Sequence, residues 1–301
     1  MNKKLLSVAM AAALVAPAAM ADVTVSGFVL QEFVTDSDDT GTSEDGLESH
    51  SDVGVILTAS EDLGNGMTAF AKIDIGKDDG ATANNDQIVG VSGGFGTIVI
   101  GRMEDFTEGK VAAMASVDSA DSLTVEPLST GTMDVDTGRL EGAMAYVSPN
   151  MGGFQAGIAA YALEGAGNSD SLDATDIMVG YSNGGITVRL AHEDVDGGAE
   201  TTSLGAEFKT GAFRVVGVYQ DQDNTEDTEG WMLGMNYTMG NNKFGIGYSD
   251  EEQSGGDKRN RWILDFTHNM SKRTKVYATY QADETNNVDD DRFAVGMKHS
   301  F

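Results

Sequence analysis

GWMLGMNYTMGNNKFGIGY, residues 230–248, decides how the chain is read. Trp231, Leu233, Met235, Tyr237 and Met239 fall on one side of an extended chain. Gly230, Met232, Gly234, Asn236 and Thr238 fall on the other. Gly240-Asn241-Asn242 then turns the chain, and Phe244, Ile246 and Tyr248 restart the apolar row. A period of two is a strand signal, not a helical one.

The same alternation runs through ITVRLAHE (186–193), RWILDFTH (261–268) and DRFAVGMKHSF (291–301). Two kinds of connector take turns between such runs. Short ones, rich in glycine or asparagine, lie at 63–66, 93–96, 150–153, 183–185, 210–212, 240–242 and 269–273. Longer acidic ones lie at 35–48, 77–86, 164–173, 194–200, 221–230, 250–258 and 283–291, and the stretch Asp105–Gly138 exceeds them all. The pattern predicts about sixteen strands. Short turns on one side and long loops on the other describe an antiparallel up-and-down sheet whose ends face different surroundings, as in outer-membrane barrels. Closure removes the unpaired edges that lipid does not tolerate. Apolar rows with terminal aromatics then face lipid. The opposite rows, with Arg189, Lys209 and Arg214 among them, face water as pore-lining bases.

Composition narrows the function. Residues 1–21 read as a cleaved signal peptide: MNKK is basic, LLSVAMAAALVAPAA apolar, and Ala19-Met20-Ala21 a small-x-small site. Without Lys3 and Lys4, residues 22–301 keep 17 of the 19 basic side chains against all 48 acidic ones, a formal charge of −31. Such acidity argues against nucleic acid as a partner. There is no cysteine, so a closed β structure or a large core must replace disulfides. After the signal, no run of 18 apolar residues suggests a transmembrane helix. His50, His192, His268 and His299 lack metal-ligand spacing. No nucleophile elbow appears, and GVSGGFG (90–96) is a hairpin connector because no GK[ST] or helix follows. An enzyme is not expected, nor is a cofactor. The acidic runs offer oxygen ligands of the kind Ca²⁺ prefers, but none follows a calcium-loop pattern. They read as solvated charge, with calcium bridging to anionic lipid headgroups as an unplaced alternative.

Several local sequences resemble the general Gram-negative porins. FAVGMKHSF (293–301) resembles their closing strand and HNMSKRTKVYATY (268–280) the turn and strand before it. SEDLGNGMTAFAKID (60–74) resembles their second-to-third-strand hairpin, and GFGTIVIGR (94–102) the fourth-to-fifth. GRLEGAMAYVSPNMGGFQAGIAAY (138–161) resembles the strand pair after their constriction loop. The resemblance implies a transmembrane barrel domain over 22–301, a homotrimer in the outer membrane of a Gram-negative bacterium. Such a barrel meets lipids and lipopolysaccharide and passes ions and small hydrophilic solutes passively. It also implies that the third loop, 105–138, folds into the pore. The loop's acids are Glu108, Asp118, Asp121, Glu126, Asp134 and Asp136, set against a basic wall ladder that Arg102 and Arg139 match in part. Asp52, in HSDVGV (50–55), stands where the family usually has arginine, so the constriction is expected to be more negative and the pore cation-preferring. In porins a terminal aromatic is read by the barrel-assembly machinery, and Phe301 is in that place. Two other readings remain, a structural or adhesive barrel acting through its acidic loops and a soluble secreted β protein.

Overall fold

The computed structural model describes residues 22–38, 46–78, 81–117, 140–162, 172–224, 227–256, 258–286 and 288–301, leaving aside the side chains of 36–38, 77–78, 81–84, 140–141 and 290. Its first eight strands are β1 (Asp22–Asp38), β2 (Gly46–Gly64), β3 (Met67–Asp78), β4 (Ala81–Gly93), β5 (Gly96–Met103), β6 (Leu140–Val147), β7 (Phe154–Tyr161) and β8 (Ala174–Asn183). The rest are β9 (Ile186–Val195), β10 (Glu200–Thr210), β11 (Phe213–Asp223), β12 (Thr228–Met239), β13 (Asn242–Gln253), β14 (Lys258–Asn269), β15 (Thr274–Thr285) and β16 (Val288–Ser300). Each pairs antiparallel with its chain neighbours, and β1 pairs with β16 to close a sixteen-stranded barrel. The seam runs from Phe28 opposite Ser300 to Asp38 opposite Asp290. A closed ladder satisfies every strand's backbone within the sheet, which is the condition for β structure in lipid.

The predicted faces hold. Trp231, Leu233 and Met235 point outward at 38%, 58% and 42% exposure, while Met232, between the first two, is buried on the lumenal side. On the last strand Phe293, Val295 and Met297 are exposed and Ala294 and Lys298 buried. The outward aromatics form two bands. Trp231, Tyr248 and Trp262 stack in sequence with ring centroids 5.4 and 4.8 Å apart. Nearer the short turns, Phe154–Tyr181, Phe213–Tyr237 and Phe244–Phe266 pair at 4.7, 4.8 and 5.2 Å. Trp231 and Tyr237 are separated by about 20 Å along their strand. Two girdles flanking an apolar band match the two interfaces of a bilayer.

The acidic connectors differ from expectation in extent. Only 39–45, 104–139 and 162–173 remain long. Over 79–80, 196–199, 224–227, 254–257 and 286–287 the outer connection is short, and the acidic residues extend the strands instead. β2 has 19 residues and β16 has 13, more than the nine to eleven or so that cross a membrane. Beyond the lipid a strand meets water on its outer face, so carboxylates there cost nothing in hydration. Some turn inward: near the outer mouth, buried Arg261 reaches Glu251 at 3.2 Å and Asp283 at 3.1 Å, and Arg259 also pairs with Asp283.

Candidate functional site

After β5 the chain turns into the barrel. The strand becomes irregular two residues before its end, at Gly101, whose φ is +142°, and at a register shift between Gly101 and Met103. A bulge of this kind bends a strand. Asp105 then organises the descent: its Oδ1 accepts from Thr107 Oγ1 at 2.6 Å and from the Glu108 N–H at 2.7 Å. The Phe106 N–H donates to Asp176 on β8. Thr107–Val111 forms a π-helical turn and Ala112–Ala115 a 3₁₀ turn.

This segment is fixed to one wall in two ways. Its apolar side chains, Phe106, Val111, Met114, Ala115 and Val117, join a buried cluster with wall residues such as Ala143, Ala159, Ala191, Val216 and Met232. Glycines make the room. A Cβ at Gly157 or Gly205 would lie 2.8 Å from the Phe106 ring or the Met114 sulfur. One at Gly245 would lie 2.5 Å from the Val117 carbonyl oxygen, and one at Gly234 would overlap the Val117 side chain. Glycine in a strand often marks such close approach of another backbone.

Below the apolar seat, wall donors hold the segment's carbonyl groups. Arg189 donates to Lys110 O at 2.9 Å. Arg214 donates to Met114 O and Ser116 O, both at 2.7 Å, and Asn236 to Val117 O at 2.5 Å. Arg214 is itself steadied by Glu207 at 2.5 Å, which also pairs with Lys209 at 2.8 Å. Hydrogen bonds from a charged donor are the stronger kind. A carbonyl buried without a donor would cost about 1–3 kcal/mol, so the donors and the apolar seat are interdependent.

The residues singled out from sequence therefore divide. Arg189, Lys209 and Arg214 do face the lumen, but two of the three grip the loop. Lys209 stays open, its side chain 59% exposed. Glu108 lies on the π-helical turn. Asp52 pairs across β2 with Leu30 and Asp78, sharing the lumenal side of buried Leu30. Arg102 sits half-buried beside the Gly101 bend, opposite Gln87. Asp118, Asp121, Glu126, Asp134, Asp136 and Arg139 lie outside the described residues. Asp105, Asp176 and Asn236 were missed. Asp105 carried a readable signal, a cap-forming side chain three residues before an acid, but Asp176 and Asn236 matter only through contacts distant in sequence.

A family model described as Gram-negative porin matches residues 7–288. Outer membrane porin protein 32 of Delftia acidovorans is 29% identical over 318 residues, covering 92% of this chain and 88% of that one. Major outer membrane protein P.IB of Neisseria meningitidis is 29% identical over 219 residues, covering 65% of this chain and 62% of that one. The solved structure of an anion-selective porin from Comamonas acidovorans superposes with a TM-score of 0.75 at 20% identity, covering 94% of this chain and all, 100%, of that one. Salmonella typhi OmpF in complex with daunomycin does so at 0.77 and 15% identity, covering 93% and 97%. With its closed barrel, aromatic bands and loop-bearing lumen, the chain belongs to the Gram-negative porin family and is a channel of the outer membrane.

Proposed function

We propose that the barrel is a passive, water-filled channel for ions and small hydrophilic solutes, that it prefers cations, and that it works as a homotrimer. One observation carries the channel reading. Among the described residues the inserted segment packs against β7–β13, while ionised side chains on the opposite wall stay open to water, Lys72 at 30% and Asp86 at 20% exposure. Inward-facing charges in a lipid-spanning barrel imply a hydrated path between segment and wall.

Cation preference rests on charge. The fold leaves the sign of selectivity to the lining residues, since the Comamonas porin is anion-selective. Here residues 22–301 carry 48 acids against 17 bases, and acids at the mouths concentrate cations. Asp52, Glu108, Asp118, Asp121, Glu126, Asp134 and Asp136, with Arg102 and Arg139, are proposed as further charges along the constriction. Residues 1–21 are proposed as the export segment.

The trimer draws support from the outer surface. Among the described residues the exposed large side chains on β2–β5 are aliphatic, such as Leu57, Ile73, Val89 and Ile100, and the exposed aromatic of this region, Phe95, lies in the turn between β4 and β5. Ala59, Ala69, Ala71 and Val89 flank a shallow groove of about 200 Å³. Strands that expose no aromatic of their own suit a second copy better than a lipid boundary.

Planar-bilayer recording of the purified protein tests all three parts. The expected result is stepwise conductance, closure in three equal steps under voltage, and a reversal potential of cation sign in a salt gradient. Absence of conductance overturns the channel and points to a structural or adhesive barrel. Single-step closure overturns the trimer, and anion sign overturns the selectivity.

A further inference from the structure

The seam between β1 and β16 differs from every other strand pair of the barrel. Each of the others joins consecutive strands, whose connection limits how they can slide, but β1 and β16 come from opposite ends of the sheet's sequence. Alternation alone does not fix their register. Val29 and Phe33 on β1 and Phe293, Val295 and Met297 on β16 face outward. A slip of one residue would turn every side chain to the wrong face, whereas a slip of two keeps each on its own.

On the lumenal side one row of residues crosses the seam. Tyr277 on β15 stands opposite Gly296 on β16, and Gly296 stands opposite Glu32 on β1. The tyrosine lies across the glycine, where a Cβ would overlap its hydroxyl. That hydroxyl donates to Glu32 Oε2 at 2.7 Å, so a side chain of β15 reaches over β16 to β1. Glu32 is 0% exposed and Tyr277 4%. Leu30, also at 0%, packs with Tyr277, and Phe28 packs against both. The Lys298 ammonium sits 4.1 Å from the centre of the Phe28 ring. Glycine within a strand often marks such a close approach, and its lumenal neighbours on β16, Ala294 and Lys298, both carry a Cβ.

We infer that Tyr277, Gly296 and Glu32 form a key that fixes the register in which the barrel closes. The short turn between β15 and β16 keeps Tyr277 and Gly296 together, so a slipped seam changes only what β1 presents to them. Two residues either way, Leu30 or Val34 replaces Glu32 opposite Gly296. The buried hydroxyl would then meet hydrocarbon and lose its acceptor, which disfavours the slipped barrel by about tenfold or more. The outward face repeats the device. The Phe301 ring covers Gly27 so closely that a Cβ there would lie 2.8 Å from it, and a two-residue slip would bring Val25 or Val29 beneath the ring.

Disulfide trapping reads the register directly, because the chain has no cysteine of its own. Phe33→Cys with Val295→Cys reports the native seam, in which the two residues are opposite. Phe33→Cys with Phe293→Cys or with Met297→Cys reports the two slipped seams, since a disulfide needs Cα atoms within about 7 Å and the native diagonal is about 7–8 Å. Each pair is refolded from urea into detergent micelles and oxidised, and heat-modifiable migration selects the folded barrels. With the key intact the native link should dominate. Tyr277→Phe, which keeps the ring, and Glu32→Leu should each raise the ratio of slipped to native links by about tenfold. Glu32→Gln, which keeps an acceptor, should restore the native ratio. Tyr280→Phe is the control: it removes a bond of similar length, 2.8 Å to Asp291 Oδ2, that joins β15 to β16 without crossing the seam, and its ratio should stay native. Native ratios in both Tyr277→Phe and Glu32→Leu overturn the inference. So does an equal rise in Tyr280→Phe, which would mark a general loss of stability. If either key variant yields no folded barrel, the other decides by the same ratio. Failure of both to fold, with Tyr280→Phe folding normally, would overturn a role confined to register and assign the row to stability of the whole barrel.

Discussion

Across the lumen, the wall that receives the loop and the wall that faces it are made of different materials. On β7–β13, glycine and alanine bare the backbone so that Phe106, Met114 and Val117 pack directly on it, and arginine and asparagine meet main-chain carbonyls. On β3 and β4 the side chains are long and ionised, and they pair with each other in water. The difference follows from what each wall touches. A surface about to be covered must shed volume and satisfy buried carbonyl groups. A surface left wet can hold charge at little cost. We propose that one wall sets the shape of the constriction and the other its field.

The largest break in that division should come from filling the seat. Gly234→Leu places a side chain where Val117 already lies. Overpacking of this kind costs about 1–3 kcal/mol or more, and here the inserted segment is the part able to move. Displaced toward the axis, it should lower single-channel conductance markedly. Gly217→Ala, on the same barrel but on the lipid side, where the added methyl meets the tip of Leu233 at 3.1 Å and the Met232 carbonyl oxygen at an ordinary 3.7 Å, should conduct as wild type does. Equal conductance in both variants would mean that the glycine at 234 does not hold the segment's position.

A smaller effect is expected from loosening the donors without touching the seat. Arg214→Ala removes two hydrogen bonds to Met114 and Ser116 and leaves Glu207 with Lys209. A loss of about 2 kcal/mol raises the population of a detached segment roughly thirtyfold. Single-channel records should show more frequent flicker between levels, with reversal potential changed less than by substitutions at Lys72. Unaltered noise would show that apolar packing alone retains the loop.

How much of this was legible depends on what each residue contacts. Trp231 and Met232 could be assigned to opposite faces because a strand's period is two regardless of its neighbours. The inserted loop was implied by the resemblance to porins, and its length agreed, since a stretch such as Asp105–Gly138 is longer than a connection needs. The seat was not legible. Gly205 and Gly234 read as ordinary lumenal positions until Met114 and Val117 are brought against them. Arg214 was placed in the lumen correctly, but its partners are carbonyl oxygens, which every residue has and no sequence pattern distinguishes. The acidic ends of β11 and β13 were read as loops because charge usually marks loops; outside the membrane a strand is equally free to carry it.

The smallest effect on conduction belongs to the seam, which lies on neither of the two contrasted surfaces. The Phe301 N–H donates to Gly27 O at 2.9 Å, and the Gly27 N–H donates to Phe301 O at 3.2 Å. The Phe301 ring, 44% exposed, covers Gly27 so closely that a Cβ there would lie 2.8 Å from it. Phe301→Ala keeps both backbone bonds and removes only the outward ring, and no lumenal atom changes. Barrels that do assemble should match wild type in conductance and reversal potential. If the ring is also what the assembly machinery reads, as we propose, the folded fraction recovered from outer membranes should fall severalfold. A full yield of the variant would assign the ring to packing over Gly27 alone. A changed conductance would mean that the closing seam and the constriction are coupled, and the separation of shape from field would have to include β1 and β16.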